Sequence, residues 1–79
     1  MSIETVEALK AELLSSHSEY RELAREHKRC ETRISELLAL PFPSQDEQTE
    51  AAFLKKKKLG LKDRMEEIVQ TYSKSRTNH

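Results

Sequence analysis

The segment Pro41-Phe42-Pro43 decides which architectures are open to this chain. Proline has no amide hydrogen to give a helix, and it pushes the preceding residue out of the α region. A helix arriving from the N-terminal side therefore stops near Leu38 to Leu40. Ser44-Gln45-Asp46-Glu47 follows at once and reads as a capping box: the Ser44 hydroxyl accepts from the Glu47 amide, and the Glu47 carboxylate reaches back to the Ser44 amide. Asp46 and Glu47 also suit the positive end of a helix dipole. These signals predict an all-α fold with helix one over about residues 2–39, a turn at about 40–44, helix two over about 45–73 and a fraying polar tail at about 74–79. Ser2 is the candidate cap of helix one, with Glu4 in its first turn.

Both predicted helices carry a heptad stripe. In helix one, Val6, Leu13, Tyr20, His27 and Ile34 fall at a positions, and Leu9, Ser16, Leu23, Cys30 and Leu37 at d positions. Helix two continues the rhythm with Ala51, Leu54, Lys58, Leu61, Met65, Ile68 and Tyr72. A short turn makes the helices antiparallel, a two-helix coiled-coil hairpin. Folding at the prolines pairs residues whose numbers sum to about 85. Cys30 then faces Leu54, His27 faces Lys58, Tyr20 faces Met65 and Ser16 faces Ile68. Val6 and Leu9 run past the apolar part of helix two, with Ile3 beside them, and ask for cover from a second copy.

Other readings are narrowed by composition. At 79 residues the chain is one small domain, short enough to want a staple or a partner. Cys30 is its single cysteine, which rules out an internal disulfide and suggests a reducing compartment. The scattered His17, His27 and His79 lack zinc-ligand spacing, so no metal or other cofactor is expected. Fourteen basic residues balance fourteen acidic ones, without the basic excess of a nucleic-acid binder. The first residues lack the basic-then-apolar order of a signal peptide, and no apolar run approaches the ~20 residues of a membrane span. A cytoplasmic protein is the expectation.

The stretch Leu54-Lys55-Lys56-Lys57-Lys58-Leu59-Gly60-Leu61-Lys62-Asp63-Arg64-Met65, together with Glu26-His27-Lys28-Arg29-Cys30-Glu31-Thr32-Arg33-Ile34 upstream, resembles the YdcH-like family of small bacterial proteins of unknown function. The resemblance covers roughly residues 19–72. It implies a helical hairpin, no known activity, and no assigned catalytic or binding residues. Gly60 departs from the pattern, because family members usually carry a helix former there; a mid-helix glycine costs about 1 kcal/mol against alanine.

Several residues invite a functional reading. Lys55 to Lys58 form the conspicuous run, but four consecutive helical residues spread over about 300° and make no single basic face. Lys58 falls on the stripe opposite His27, so the two form a polar core layer that sets register. Cys30, at a d position, reads as a small buried hydrophobe. No nucleophile–base pair, phosphate-binding loop or carboxylate pair can be assembled, and an enzyme is not expected. Leu59 lies about 140° around helix two from Leu54, where helix one cannot cover it. Ala52 lies on the same side, and Leu14, Leu38 and Leu40 are likewise off the stripe. Together with the overhang, these leucines predict a homo-oligomer interface of Ile3, Val6, Leu9, Leu14 and Leu59 that assembles hairpins into a dimeric or tetrameric helical bundle. The expected function is a self-associating, non-enzymatic protein–protein interaction module, open to a further unidentified protein partner. The competing expectation is an adaptor for nucleic acid or an anionic surface through Lys55 to Lys58, with nucleic acid disfavoured by the charge balance.

Overall fold

A computed structural model describes the backbone of residues 3–77 and the side chains of residues 6–74. Three α-helices are present among the described residues: α1 (Ile3–Ser16), α2 (Ser18–Leu38) and α3 (Gln45–Thr77). The all-α expectation holds. The expectation of two helices does not, because helix one is broken at His17. Helix two also runs further than expected, to Thr77. Ser2 and the last two residues lie outside the described part of the chain.

The break has a local cause. Ser15, Ser16 and Ser18 surround His17, and serine hydroxyls compete with helix hydrogen bonding. The hydroxyls of Ser15 and Ser16 both donate to the Glu12 carbonyl, at 2.9 and 2.8 Å. His17 then leaves helical geometry at φ −108° and ψ 106°, and its Nδ1 accepts from the Tyr20 amide at 3.0 Å. A side-chain acceptor on the third amide of a helix is the N-cap contact, here supplied by an imidazole. The same ring stands edge-to-face with Tyr72, with centroids 5.3 Å apart and planes at 85°. Ser16, expected to face Ile68 in the core, is exposed.

The turn follows the sequence reading closely. The Ala39 amide closes α2 on the carbonyls of Ser35 and Glu36, and the Leu40 amide tightens the last turn onto Leu37. The Ser44 amide donates to Glu47 Oε1 at 2.7 Å and the Glu47 amide to Ser44 Oγ at 3.1 Å, so both halves of the capping box form. Three cross-seam ion pairs fix the direction of α3 against α2: Arg33–Glu50, Glu26–Lys57 and Glu19–Arg64. Residue numbers rise along one helix as they fall along the other and add to 83 in every pair, so α2 and α3 run antiparallel.

Freed by the break, α1 turns back over that seam. Leu9 and Leu13 are each 2% exposed, in one cluster with Tyr20, Ile68 and Val69, against which Leu23 and Met65 pack. Lys10 shares a groove with His27 and Lys58; in an unbroken helix Lys10 and His27 would stand about 25 Å apart. Val69 lies about 100° from Ile68 and off the stripe that faces α2. It is buried because α1 approaches α3 from that side. The expectation that Leu9 overhangs and awaits a second copy is therefore corrected: α1 covers it from within the chain. A second apolar group, Cys30, Ile34 and Leu37, is buried nearer the turn. Leu61, expected as a full core layer, is only half-buried.

These positions set an order of cost. Leu13→Ala is expected to destabilise the chain by about 2–4 kcal/mol, and Leu61→Ala by clearly less, in urea titrations followed by helical signal. Equal costs, or the reverse order, would contradict a core built on α1.

Candidate interaction surfaces

The charged side chains of the α2–α3 seam form a ladder rather than an open patch. Arg33 grips Glu50 through two hydrogen bonds, Nε–Oε2 at 2.7 Å and Nη2–Oε1 at 3.0 Å. Arg64 grips Glu19 in the same forked manner, at 2.9 and 3.0 Å. Two-pronged pairs of this kind combine geometric specificity with charge. The Arg64 fork holds the Glu19 carboxyl below its ordinary 4.5, and the Arg33 fork does the same for Glu50. Burial, with Glu7 of α1 nearby, pushes the Tyr20 phenol up. Lys57 reaches Glu26 at 3.5 Å.

His27 and Lys58, the predicted polar layer, are both half-buried and line one groove of about 320 Å³. Its floor is Tyr20, Met65 and Val69; Lys10, Lys62, Glu31 and Glu66 complete the rim. His27 Nδ1 lies 3.2 Å from Glu31 Oε1. Three lysines and two glutamates line the groove, so charges of both signs share it. Among the described residues no group of three or more His, Cys, Asp or Glu could hold a metal ion. The Cys30 thiol is buried.

The second surface is the outer face of α3, turned away from both other helices. Thr49, Ala52, Phe53, Lys56 and Leu59 recur there at helical spacing, and Lys55 lies at the edge of the same shallow depression. Phe53 is 63% exposed and Leu59 58%. An alanine-sized group at Gly60 would meet nothing within 4 Å. The turn adds Leu38 and Phe42, the latter 93% exposed.

The residues proposed from sequence as one interface are thus separated. Leu59 lies on the outer face of α3. Leu14 is exposed on α1, Val6 is half-buried and Leu9 is in the core. The side chain of Ile3 is outside the described residues. Phe53 was missed, although Ala52 and Leu59 already mark its face; extending that pair by helical spacing to Thr49, Phe53 and Lys56 would have found it.

The profile of a family described as "Protein of unknown function (DUF465)" matches residues 21–69. The chain belongs to this family. YdcH-like proteins are members of it, in keeping with the resemblance carried by the lysine-rich segment. The family region takes in most of α2, the turn and α3 as far as Val69; α1, His17 and Glu19 lie before it. No curated protein and no solved structure matches the chain. No helix among the described residues is long and apolar enough to cross a membrane.

The two forked pairs give an acid-side signature. A carboxylate whose folded pKa is lowered stabilises the fold above its unfolded value and loses that contribution as pH falls through the folded one. The double variant Glu19→Gln/Glu50→Gln is therefore expected to unfold at lower urea than the wild type at pH 7. Its deficit should shrink as pH drops below 4.5, the ordinary value for both groups. A deficit unchanged at pH 3 would mean that the forks do not set the acid stability.

Proposed function

We propose that this chain is a non-enzymatic helical interaction module of the cytoplasm that associates with copies of itself, as a dimer or tetramer, into a larger helical bundle. The observation that carries the reading is the outer face of α3, where Phe53 and Leu59 stand more than half exposed on the side remote from the core. Single exposed apolar residues are ordinary. Two large ones on one helix face, flanked by Ala52 and the open Gly60, resemble the packing stripe of a helix awaiting a neighbour.

The alternative, an adaptor for anionic surfaces through the lysine run, has less support. Lys57 is tied to Glu26 and Lys58 is half-buried at the seam, which divides the run over three directions. As for catalysis, the groove at His27 pairs its histidine with a glutamate, and its lining places no nucleophile against a base.

Light scattering on a dilution series tests the reading. The wild-type chain is expected to be dimeric or larger, and Phe53→Lys to be a monomer of unchanged helicity, because Phe53 supports no intramolecular core. A wild-type monomer throughout, or a Phe53→Lys variant of unchanged mass, would contradict it. Retention on heparin that falls steeply with salt would instead favour the adaptor.

A further inference from the structure

We propose that two copies of the chain pair antiparallel through the outer faces of their α3 helices, about a two-fold axis at Ala52–Phe53, with Lys55 and Lys56 of each copy set against the Asp46–Glu50 segment of the other. The inference rests on the self-association reading and names its surface and register.

The order of charge along α3 carries the argument. The helix opens with Asp46, Glu47 and Glu50, passes through Ala51-Ala52-Phe53-Leu54, and continues with Lys55 to Lys58. A segment that reads acidic, apolar, basic complements itself when turned end for end about its centre. Asp46, Lys55 and Lys56 have no ion pair within the chain among the described residues, whereas Glu47 closes the capping box, Glu50 pairs with Arg33 and Lys57 with Glu26. With the axis at Ala52–Phe53, Phe53 meets its own copy, and the basic segment of each chain lies opposite the acidic segment of the other. An axis one turn further on, at Lys56, would bring Phe53 onto Leu59 but set the lysines against themselves, which opposes association. A phosphate-rich surface is a poorer occupant of this face: Glu50 stands within two helical turns of Lys55 to Lys57, Asp46 stands about two and a half turns from Lys55, and both would be repelled by it.

The proposed register also covers two exposed features at the ends of the face. It brings the first turn of α3 in one copy over the far end of the face in the other, with Gln45 opposite Gly60 and Asp46 opposite Leu59. The open space at Gly60 admits a large side chain there. A close approach gives that glycine a role that the isolated chain does not.

Disulfide trapping in a Cys30→Ala chain tests the register. Ala52→Cys places thiols at the axis and is expected to link nearly all chains under mild oxidation. Leu59→Cys places them about 20 Å apart by helix rise, beyond the ~7 Å between Cα atoms that a disulfide spans, and is expected not to link. The unlinked Cys30→Ala chain is weighed in parallel by light scattering. A dimer with this cross-linking pattern supports the proposal. A dimer with any other pattern overturns the register and leaves self-association standing. A monomer at every concentration overturns both.

Discussion

Two helices packed along one seam bury a line of contacts, and each remains open on its far side. The interruption at Ser16–Ser18 changes that for part of the molecule. By capping α2 with its own imidazole, His17 releases the preceding segment, and α1 lays Leu9 and Leu13 across Tyr20, Ile68 and Val69. The core there has three walls, and it holds the two least exposed of the described residues, Leu9 and Leu13. Toward the turn the seam has two walls, and α3 contributes only half-buried Ala51, Leu54 and Leu61 to it. The same end of α3 carries the exposed outer face, so the least enclosed part of the fold is also the part with apolar surface left to bury.

Charge divides by surface in a way that bears on this. The seam residues are consumed in pairs, with forked arginines at Glu19 and Glu50 and Lys57 at Glu26. Exposed ion pairs contribute little individually. Their repeated spacing still favours one antiparallel register, because a slip would separate all three together. Among the described residues Asp46, Lys55 and Lys56 have no such partner within the chain, and they are ordered acidic to basic along α3, an arrangement suited to a partner.

Much of this was legible from the residues. The proline-bounded turn, the reciprocal cap of Ser44 and Glu47 and the pairing of α2 with α3 follow from local chemistry and a period of 3.5 residues. The break at His17 was not, because Ser16 fits a d position and the heptad passes through it without a slip; a cluster of cap-forming residues outweighed the period. That single miss propagated. A straight helix one leaves Leu9 hanging and sends Ser16 to Ile68, whereas the broken helix buries the first and exposes the second. Val69 went unnoticed for the same reason, since only α1 covers it. Phe53 was overlooked because one aromatic off the main stripe looks like an ordinary exposed residue until Thr49, Ala52, Lys56 and Leu59 are read as a second stripe.

The return of α1 over the seam is the claim on which the core depends, and a spin-label distance measures it directly. Ala8 and Lys28 are both exposed, on α1 and α2. In a Cys30→Ala chain carrying Ala8→Cys and Lys28→Cys, a helix broken at His17 and folded back predicts a distance well under 20 Å, roughly two neighbouring helix diameters. A distance near 30 Å, the rise of about twenty residues of unbroken helix, would contradict the account.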